Sequence, residues 1–318
     1  MPSSERHTHS VSPPPVDFII AKSEQEWKKR ACRFQAEIVH FLLRKPKKDL
    51  VSTAATGSGK TYIFFLPSLF EEEKGSITFG IVPLKKLGDQ HRDSAQQLGL
   101  TAISLEAKTI NKEVVKVCNR AILKPLWRNK IFVSNINRII VDEAHSVAQW
   151  SSFQAAYKEL TWLYAYLCHR CQWYLTSATL NAKTCSQVLG QVGMAPWISP
   201  SGGNGTTWLR RSNEWPNLHY CVWEMEYSKS SYYDLAFLIP LHLEESHPMP
   251  ESFVVYCNSC DEAERSAEFL RSRVCKALCH KIIWIHSGMS DKHKLKVVED
   301  FRDGKLIGIT STESLGLV

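Results

Sequence analysis

A short glycine-containing segment, ATGSGKT at positions 55–61, has the composition of a loop that binds phosphate groups. It fits the pattern GxxxxGK[ST] except that Ala54 stands where the pattern has glycine. Gly57 and Gly59 would let backbone N–H groups turn towards phosphate oxygens, and Lys60 would bring a positive charge to the outer phosphates. The alternative is an ordinary turn between a strand and a helix. The segment predicts a nucleotide site with Mg²⁺ on the Thr61 hydroxyl, and its predicted contacts are Thr56, Gly57, Ser58, Gly59, Lys60 and Thr61.

An acidic pair, Asp142-Glu143, follows the apolar run RIIV at positions 138–141. Carboxylates at the end of a buried strand lie where sheets of the α/β class bind their ligands. Asp142 is placed to hold a nucleotide-bound Mg²⁺, and Glu143 to orient and deprotonate an attacking water. Such a pair is also typical of a helix N-terminus. Together with Lys60 it predicts phosphoryl-transfer chemistry, with Lys60, Asp142 and Glu143 as the catalytic residues.

The elements that must position these residues are short apolar runs that alternate with longer helical patterns. This alternation indicates βαβ units and an α/β fold with a mostly parallel sheet. One helix is predicted over Lys22–Leu43, because apolar residues recur there every three to four positions. Two more are predicted over Asp261–Val274 and Asp291–Arg302. The strand candidates are Asp49–Ala54, Ser76–Val82, Val114–Val117, Arg138–Val141, Trp173–Thr176, Ser252–Tyr256, Lys281–Ile285 and Leu306–Thr310.

Composition is that of a globular protein with a large core. The chain has 318 residues, of which 44% are hydrophobic and 22% charged. These values exclude collagen, coiled coil and wholesale disorder, and they fit about two domains. The net charge of +7 suits a phosphate-rich partner without proving one. Apolar runs fall well short of the roughly 20 residues that a membrane helix needs. We therefore expect no membrane partner and an intracellular protein with reduced thiols.

Several motifs occur in the order found in one helicase family. The phosphate loop, the box Asp142-Glu143-Ala144-His145 and the segment Ser177-Ala178-Thr179 resemble those of superfamily 2 helicases. Finer matches are similar to the RecQ-type DNA helicases and span about residues 27–318. They are Gln35, Pro83-Leu84 with Asp89-Gln90, Gln149-Trp150 with Phe153, Tyr157 and Leu160, Arg211-Ser212-Asn213 with Pro216-Asn217, Tyr256-Cys257-Asn258-Ser259, His286-Ser287-Gly288-Met289-Ser290, and Thr310–Val318.

The resemblance implies two RecA-like P-loop domains that use ATP and Mg²⁺, the second of them incomplete. The expected divisions are a disordered tail over 1–16, an ATP-binding domain over 17–200, a linker over 201–217 and a partial C-terminal domain over 218–318. The implied activity is ATP-dependent 3′–5′ movement on single-stranded DNA with unwinding of duplex DNA, in the nucleus. Gln35 would read adenine. Gln149, Trp150 and Phe153 would relay DNA contact to the ATP site, with core packing as the alternative for the two aromatic residues.

The sequence also departs from the family pattern. Ser151-Ser152-Phe153-Gln154 lacks an arginine that the family has, and Cys118-Asn119-Arg120 stands where the family has Ser-Pro-Glu. The chain stops before a Gly-Arg-x-Gly-Arg motif whose arginine reaches ATP, so we expect ATP binding with poor hydrolysis. Two other functions stay open: an RNA helicase that shares the ATP site, and a catalytically silent remnant that binds ATP and nucleic acid.

Two further groups of residues have more than one interpretation. Spacings that zinc could use occur among Cys257, Cys260, Cys275, Cys279 and His280, but we expect buried free thiols there. The basic run Arg44–Lys48 resembles a nuclear-import patch. Its position just before a strand favours a solvated turn instead.

Overall fold

A computed structural model describes residues 12–70, 73–83, 85–104, 128–150, 155–198, 205–214, 217–312 and 315. The chain divides into two compact units, Met1–Leu218 and His219–Val318, and each is described by itself. Several sequence features lie outside the described residues. They are the strand candidate 114–117, the segments 118–120 and 151–154, Leu84, Pro216, and residues 313–314 and 316–318 of the last motif. The side chains of Trp150 and Tyr157 lie outside them as well. The finer domain boundaries given above stay a prediction.

The first unit is built on a six-stranded parallel sheet, which confirms the α/β fold class. Its strand order is β2-β3-β4-β1-β6-β5, and all five pairings are parallel. Strand β4 lies between β1 and β3, so the chain segments that follow β1 and β3 emerge at one edge, two strand spacings or roughly 10 Å apart. The strands are β1 Leu50–Thr53, β2 Ile77–Ile81, β3 Ile136–Val141, β4 Gln172–Ser177, β5 Trp197–Ile198 and β6 Thr206–Arg210.

Strand β4 shows why this sheet is buried on both faces. Successive side chains point to opposite faces of a strand. Trp173 and Leu175 pack with Ile139 in one core cluster, whereas Tyr174 packs with Ile140 in the cluster on the other face. All six residues of β4 are buried. Helices must therefore cover both faces, and a near-continuous apolar strand is what such a position requires.

Helices of the first unit connect these strands and cover the sheet. They are α1 Val16–Trp27, α2 Arg33–Leu42, α3 Lys60–Phe65, α4 Lys85–Gln97, α5 Lys130–Asn135, α6 His145–Trp150, α7 Ala155–Leu167 and α8 Ala182–Val192. The predicted single helix over 22–43 is wrong, because the chain forms α1 and α2 with a break between them. Lys28 adopts a left-handed backbone at φ 53° and ends α1. The Ser23 hydroxyl then accepts a hydrogen bond from the Ala31 N–H at 2.9 Å and fixes the turn.

Strand β6 lies inside the segment that was predicted to be a linker, 201–217. It pairs with β1 in register, from Leu50 opposite Thr207 to Thr53 opposite Arg210. The Gly- and Ser-rich stretch at 199–207 indicates a boundary. Strand β6 nevertheless begins within that stretch, at Thr206, and extends the first sheet beyond β1. The Trp208 indole N–H donates to the Thr53 hydroxyl at 2.9 Å and ties the two strands together.

The second unit contains a three-stranded parallel sheet in the order β7-β9-β8. Its strands are β7 Phe253–Tyr256, β8 Ile282–Ile285 and β9 Gly308–Ser311. Two helices accompany them, α9 Cys260–Arg271 and α10 Asp291–Arg302. The predicted strands and helices of this unit are confirmed to within a few residues at each end. Its core cluster includes Ile239, Leu270, Leu278 and Ile282.

The cysteines and the basic turn differ in part from expectation. Cysteines of the described part are free thiols. The expectation that they are buried is wrong for the four with zinc-like spacing, because Cys260 is exposed and Cys257, Cys275 and Cys279 are only half-buried. In that same part of the chain, no group of three or more His, Cys, Asp or Glu side chains is arranged to hold a metal ion.

Lys47 in the basic turn is half-buried, and its Nζ donates to the Asn137 carbonyl at 3.3 Å. No helix in the described ranges is long and apolar enough to cross a membrane.

Candidate functional site

The glycine-containing loop connects β1 to α3 and has the backbone geometry that phosphate binding requires. Gly57 and Gly59 have φ values of 76° and 75°, a left-handed conformation that glycine adopts without steric cost. Lys60 begins α3 and is only 8% exposed. Its Nζ donates to the carbonyls of Ala54 and Ala55 at 3.0 and 3.1 Å. The ammonium group is therefore held inside the loop.

Lys60 is electrostatically coupled to the acidic pair. Burial lowers the pKa of Lys60, while the negative charges of Glu143 and Asp142 act to raise it. Both carboxylates therefore lie near enough to the Lys60 ammonium group to act on its charge. The prediction that the three residues share one edge of the sheet is thus consistent with the geometry. Their catalytic roles stay a prediction.

Gln35 of α2 braces the glycine-containing loop from the side. Its Nε2 donates to the Ser58 carbonyl at 3.3 Å and to the Gly59 carbonyl at 3.0 Å. Its Oε1 accepts from the Cys32 N–H at 2.8 Å, which closes the first turn of α2. The side chain is 7% exposed. Gln35 therefore contacts the loop itself in this structure, and adenine recognition by Gln35 stays a prediction.

Asp142 and Glu143 follow β3 in a turn that is tied to the neighbouring strands. The Asp142 N–H donates to the Ile81 carbonyl at 2.9 Å, and the Ala144 N–H donates to the Thr176 carbonyl at 2.9 Å. Glu143 has a φ of 47°, a strained conformation for a residue with a side chain and one that clusters at functional sites. These bonds hold the strained turn in place.

The Glu143 carboxylate belongs to a three-residue cluster with His145 and Ser177. His145 Nδ1 lies 3.2 Å from Glu143 Oε2 and 2.8 Å from Ser177 Oγ. The Ser177 hydroxyl donates to Glu143 Oε2 at 3.4 Å and accepts from the Thr179 N–H at 3.1 Å. The hydrogen bond from His145 is the largest cause that lowers the pKa of Glu143, and the charge of Lys60 adds to it against the effect of burial. Glu143 is thus held as a carboxylate.

Sequence reasoning did not assign a role to His145 or Ser177, which it named only within motifs, and it missed His91 of α4 altogether. Its Nε2 donates to Asp142 Oδ2 at 3.0 Å. The signal was close by, since the motif Asp89-Gln90 precedes it directly. For Thr61 and Gln149 the structure gives the exposure of the side chain. Thr61 is half-buried and Gln149 is exposed near the end of α6, while Phe153 lies outside the described residues.

The residues present fit a nucleoside triphosphate with Mg²⁺. Ser58 Oγ is buried within the loop and has no hydrogen-bond partner among the described residues. A Cβ atom added at Gly59 would lie 2.5 Å from Gln35 Nε2, so the loop approaches its support too closely for a side chain. Both features suit a loop that wraps phosphate oxygens with its own backbone.

Comparisons with known proteins identify two domains. Residues 32–188 match the DEAD/DEAH box helicase family, and residues 235–317 match the helicase conserved C-terminal domain. The chain therefore contains a DEAD/DEAH box helicase domain and a helicase C-terminal domain. ATP-dependent DNA helicase RecQ of Haemophilus influenzae is 26% identical over 298 residues, which cover 89% of this chain and 44% of that relative. A putative ATP-dependent RNA helicase of Acanthamoeba polyphaga mimivirus is 24% identical over 89% of this chain and 49% of the relative.

Solved structures show the same fold. The DUF1998 helicase MrfA bound to DNA and AMPPNP aligns with a TM-score of 0.62 at 15% identity, over 96% of this protein and 44% of that chain. Dbp5 of S. cerevisiae bound to RNA and ADP BeF3 aligns with a TM-score of 0.52 at 15% identity, over 95% and 75%. The resemblance to RecQ-type helicases is confirmed, because several such relatives align over most of the chain. The chain spans less than half the length of those relatives.

Proposed function

We propose that this protein is an ATP-dependent 3′–5′ DNA helicase of RecQ type, which couples ATP hydrolysis to movement along single-stranded DNA and to duplex unwinding. The observation that carries the proposal is the gathering of Lys60, Asp142 and Glu143 at the carboxyl edge of one parallel sheet. RecQ-type relatives from bacteria, fission yeast and a plant support the choice of DNA. Nuclear localisation is proposed from the resemblance alone.

Each residue of the site has a defined task in this proposal. Lys60 neutralises the outer phosphates of ATP, and the loop N–H groups around Gly57 and Gly59 bind phosphate oxygens. The Thr61 hydroxyl and the Asp142 carboxylate would hold Mg²⁺, which supplies charge neutralisation on the phosphates. Glu143 accepts a proton from the attacking water, because its carboxylate is kept ionised by His145 and Ser177.

DNA contact is proposed to reach the ATP site through α6. This helix begins two residues after Glu143, at His145, and it ends at Trp150. Gln149 near its end is exposed and accessible to a nucleic acid. Aromatic side chains stack on bases without sequence preference, which is the role proposed for Trp150 and Phe153. A displacement at one end of α6 would then act on the acidic pair at the other.

ATP hydrolysis by the purified full chain tests the proposal directly. Phosphate release is measured without nucleic acid, with single-stranded DNA and with single-stranded RNA of the same sequence, and strand separation is measured on matched duplexes with a 3′ or a 5′ tail. We expect slow ATP turnover, as the sequence predicts, that single-stranded DNA stimulates, and strand separation that begins from the 3′ tail. Lys60→Ala is the control for contaminating ATPase. DNA-independent turnover, or unwinding from the 5′ tail, would contradict the proposal.

An RNA helicase is the second candidate, favoured by the relative that carries the name of a putative RNA helicase. The same assay separates the two, because an RNA helicase would be stimulated by RNA and would unwind RNA duplexes preferentially. A third outcome, nucleotide binding without turnover under any condition, would indicate a silent remnant that binds ATP and nucleic acid.

A further inference from the structure

An imidazole contacts the carboxylate that is proposed to hold Mg²⁺. His91 Nε2 lies 3.0 Å from Asp142 Oδ2, and the two side chains are only 16% and 8% exposed. A hydrogen bond to a charged acceptor in such a shielded place is stronger than one at the surface. The two residues are 51 positions apart, so the contact is made by the fold and not by local chain geometry.

The plane of the His91 ring is fixed from a second direction. Phe64 packs edge-on against it, with ring centroids 5.4 Å apart and planes at 86°. Phe64 belongs to α3, the helix that begins at Lys60. It also packs against Tyr174 of β4, with centroids 6.2 Å apart at 74°. The imidazole therefore connects the helix that follows the phosphate loop to the acidic pair, and its orientation is set by packing.

Among the described residues, each carboxylate oxygen of Asp142 accepts one hydrogen bond. Oδ1 accepts from the Glu143 N–H at 2.9 Å, and Oδ2 accepts from His91. Two donors on opposite oxygens fix the rotation of the carboxylate. Because a carboxylate can accept about four hydrogen bonds or ligand contacts, each oxygen keeps a lone pair for Mg²⁺ or for its water. The carboxylate is thus oriented without being saturated.

We propose that His91 is a positioning residue that holds Asp142 in the orientation needed for Mg²⁺-bound nucleotide. This inference depends on the proposed ATP site and adds a residue to it. Partners of ligating carboxylates orient the ligand and raise metal affinity, and their loss costs about 10–100-fold in affinity or activity. The effect of His91 on nucleotide binding therefore appears only in the presence of Mg²⁺.

Equilibrium binding of a fluorescent ATP analogue to the full chain tests this role. The Mg²⁺ concentration that gives half-maximal binding is measured for the wild type and for His91→Phe, which keeps a ring against Phe64 but removes the donor. We expect an increase of about tenfold, with unchanged binding in EDTA. His91→Gln, whose amide can reach the position of Nε2, should return the value to within about twofold to threefold of the wild type.

A matched control is His40→Phe, which removes a hydrogen bond from His40 Nδ1 to the Pro14 carbonyl at 2.8 Å and should leave the Mg²⁺ requirement unchanged. If His91→Phe does not fold, His91→Asn replaces it, because its shorter amide cannot reach Asp142. An unchanged or lower Mg²⁺ requirement in these variants, with the wild type still binding the analogue, would overturn the role of His91 alone. Failure of the wild type to bind the analogue would overturn the ATP site itself.

Discussion

Substitution of Gly59 by alanine tests whether the phosphate loop and Gln35 are built as one unit. The new Cβ atom would lie 2.5 Å from Gln35 Nε2, well inside van der Waals contact. Gln35 must then move away and lose its hydrogen bonds to the Ser58 and Gly59 carbonyls. Alanine must also adopt a φ of 75°, which an L side chain tolerates poorly.

The expected cost has two parts. The left-handed backbone costs alanine about 1 kcal/mol. Loss of two hydrogen bonds costs a further ~2 kcal/mol, at about 1 kcal/mol each. Gly59→Ala should therefore destabilise the first unit by about 3 kcal/mol. For a unit of this size each kcal/mol lowers Tm by about 2–4 °C, so we expect a fall of roughly 9 °C, together with weaker nucleotide binding.

Gly99 provides the matched control. Its φ is 76°, and an added Cβ atom would meet nothing within 4 Å. Gly99→Ala should therefore lower Tm by only about 3 °C, because it carries the backbone cost alone. Calorimetric scans of the full chain follow the transition of the first unit in each variant. A third comparison adds Gly59→Ala to Gln35→Ala, where the clash is gone and only the smaller fall should remain.

The reasoning is refuted if Gly59→Ala melts no lower than Gly99→Ala. It is also refuted if prior removal of the Gln35 side chain leaves the cost of Gly59→Ala unchanged. Either result would mean that Gln35 does not brace the loop.

Three further predictions concern other residues. Glu143→Gln should lower ATP turnover by about 10²–10⁴-fold, while the dissociation constant of a fluorescent ATP analogue stays within about threefold of the wild-type value. A loss of binding as large as the loss of turnover would argue against a proton-accepting role for Glu143. Glu73→Ala should lower the free energy of unfolding of the first unit by about 3–5 kcal/mol, measured in urea, because it leaves the buried charge of Arg138 without its carboxylate partner. Arg138 is fully buried and lies 3.4 Å from Glu73. Adding Arg138→Met should recover much of the loss, and a cost under about 1 kcal/mol would contradict a stabilising role of the ion pair. Burial lowers the pKa of Lys47 from 10.5 to about 8, so between these pH values the unfolded chain binds more protons than the folded chain. The Tm difference between the wild type and Lys47→Met should therefore shift in favour of the wild type as the pH rises from 8 to 10.5. A Tm difference that does not change with pH would contradict this.

Much of the first unit could be predicted from local pattern. Strands β1 to β4 were recognised because each is a short run of apolar or β-branched residues. In β1, β3 and β4, nearly every residue is buried, and a strand buried on both faces needs such a run. The glycine-containing loop was recognisable because left-handed backbone at Gly57 and Gly59 demands glycine. The acidic pair followed from its place after an apolar strand. In each case the physical requirement falls on neighbouring residues, so the sequence displays it directly.

Other features depend on residues that are distant in sequence. The break between α1 and α2 uses the Ser23 hydroxyl to accept the Ala31 N–H, and helical periodicity passes through such a turn unchanged. Strand β6 is short and follows a polar stretch, and only its pairing with β1 makes it a strand. The basic neighbours of Lys47 predict a solvated side chain, whereas in the folded chain its Nζ donates to the Asn137 carbonyl.

Whether a feature can be predicted from the sequence depends on how far apart in the chain its determining residues lie. Backbone conformation and strand burial are dictated by residue type over a few positions, so motif and pattern were sufficient to place Lys60, Asp142 and Glu143 at one sheet edge. The contact of His91 with Asp142, and of Gln35 with the loop, joins side chains on separate elements. Such contacts depend on strand order and helix packing, and therefore became visible only when the folded chain brought those elements together.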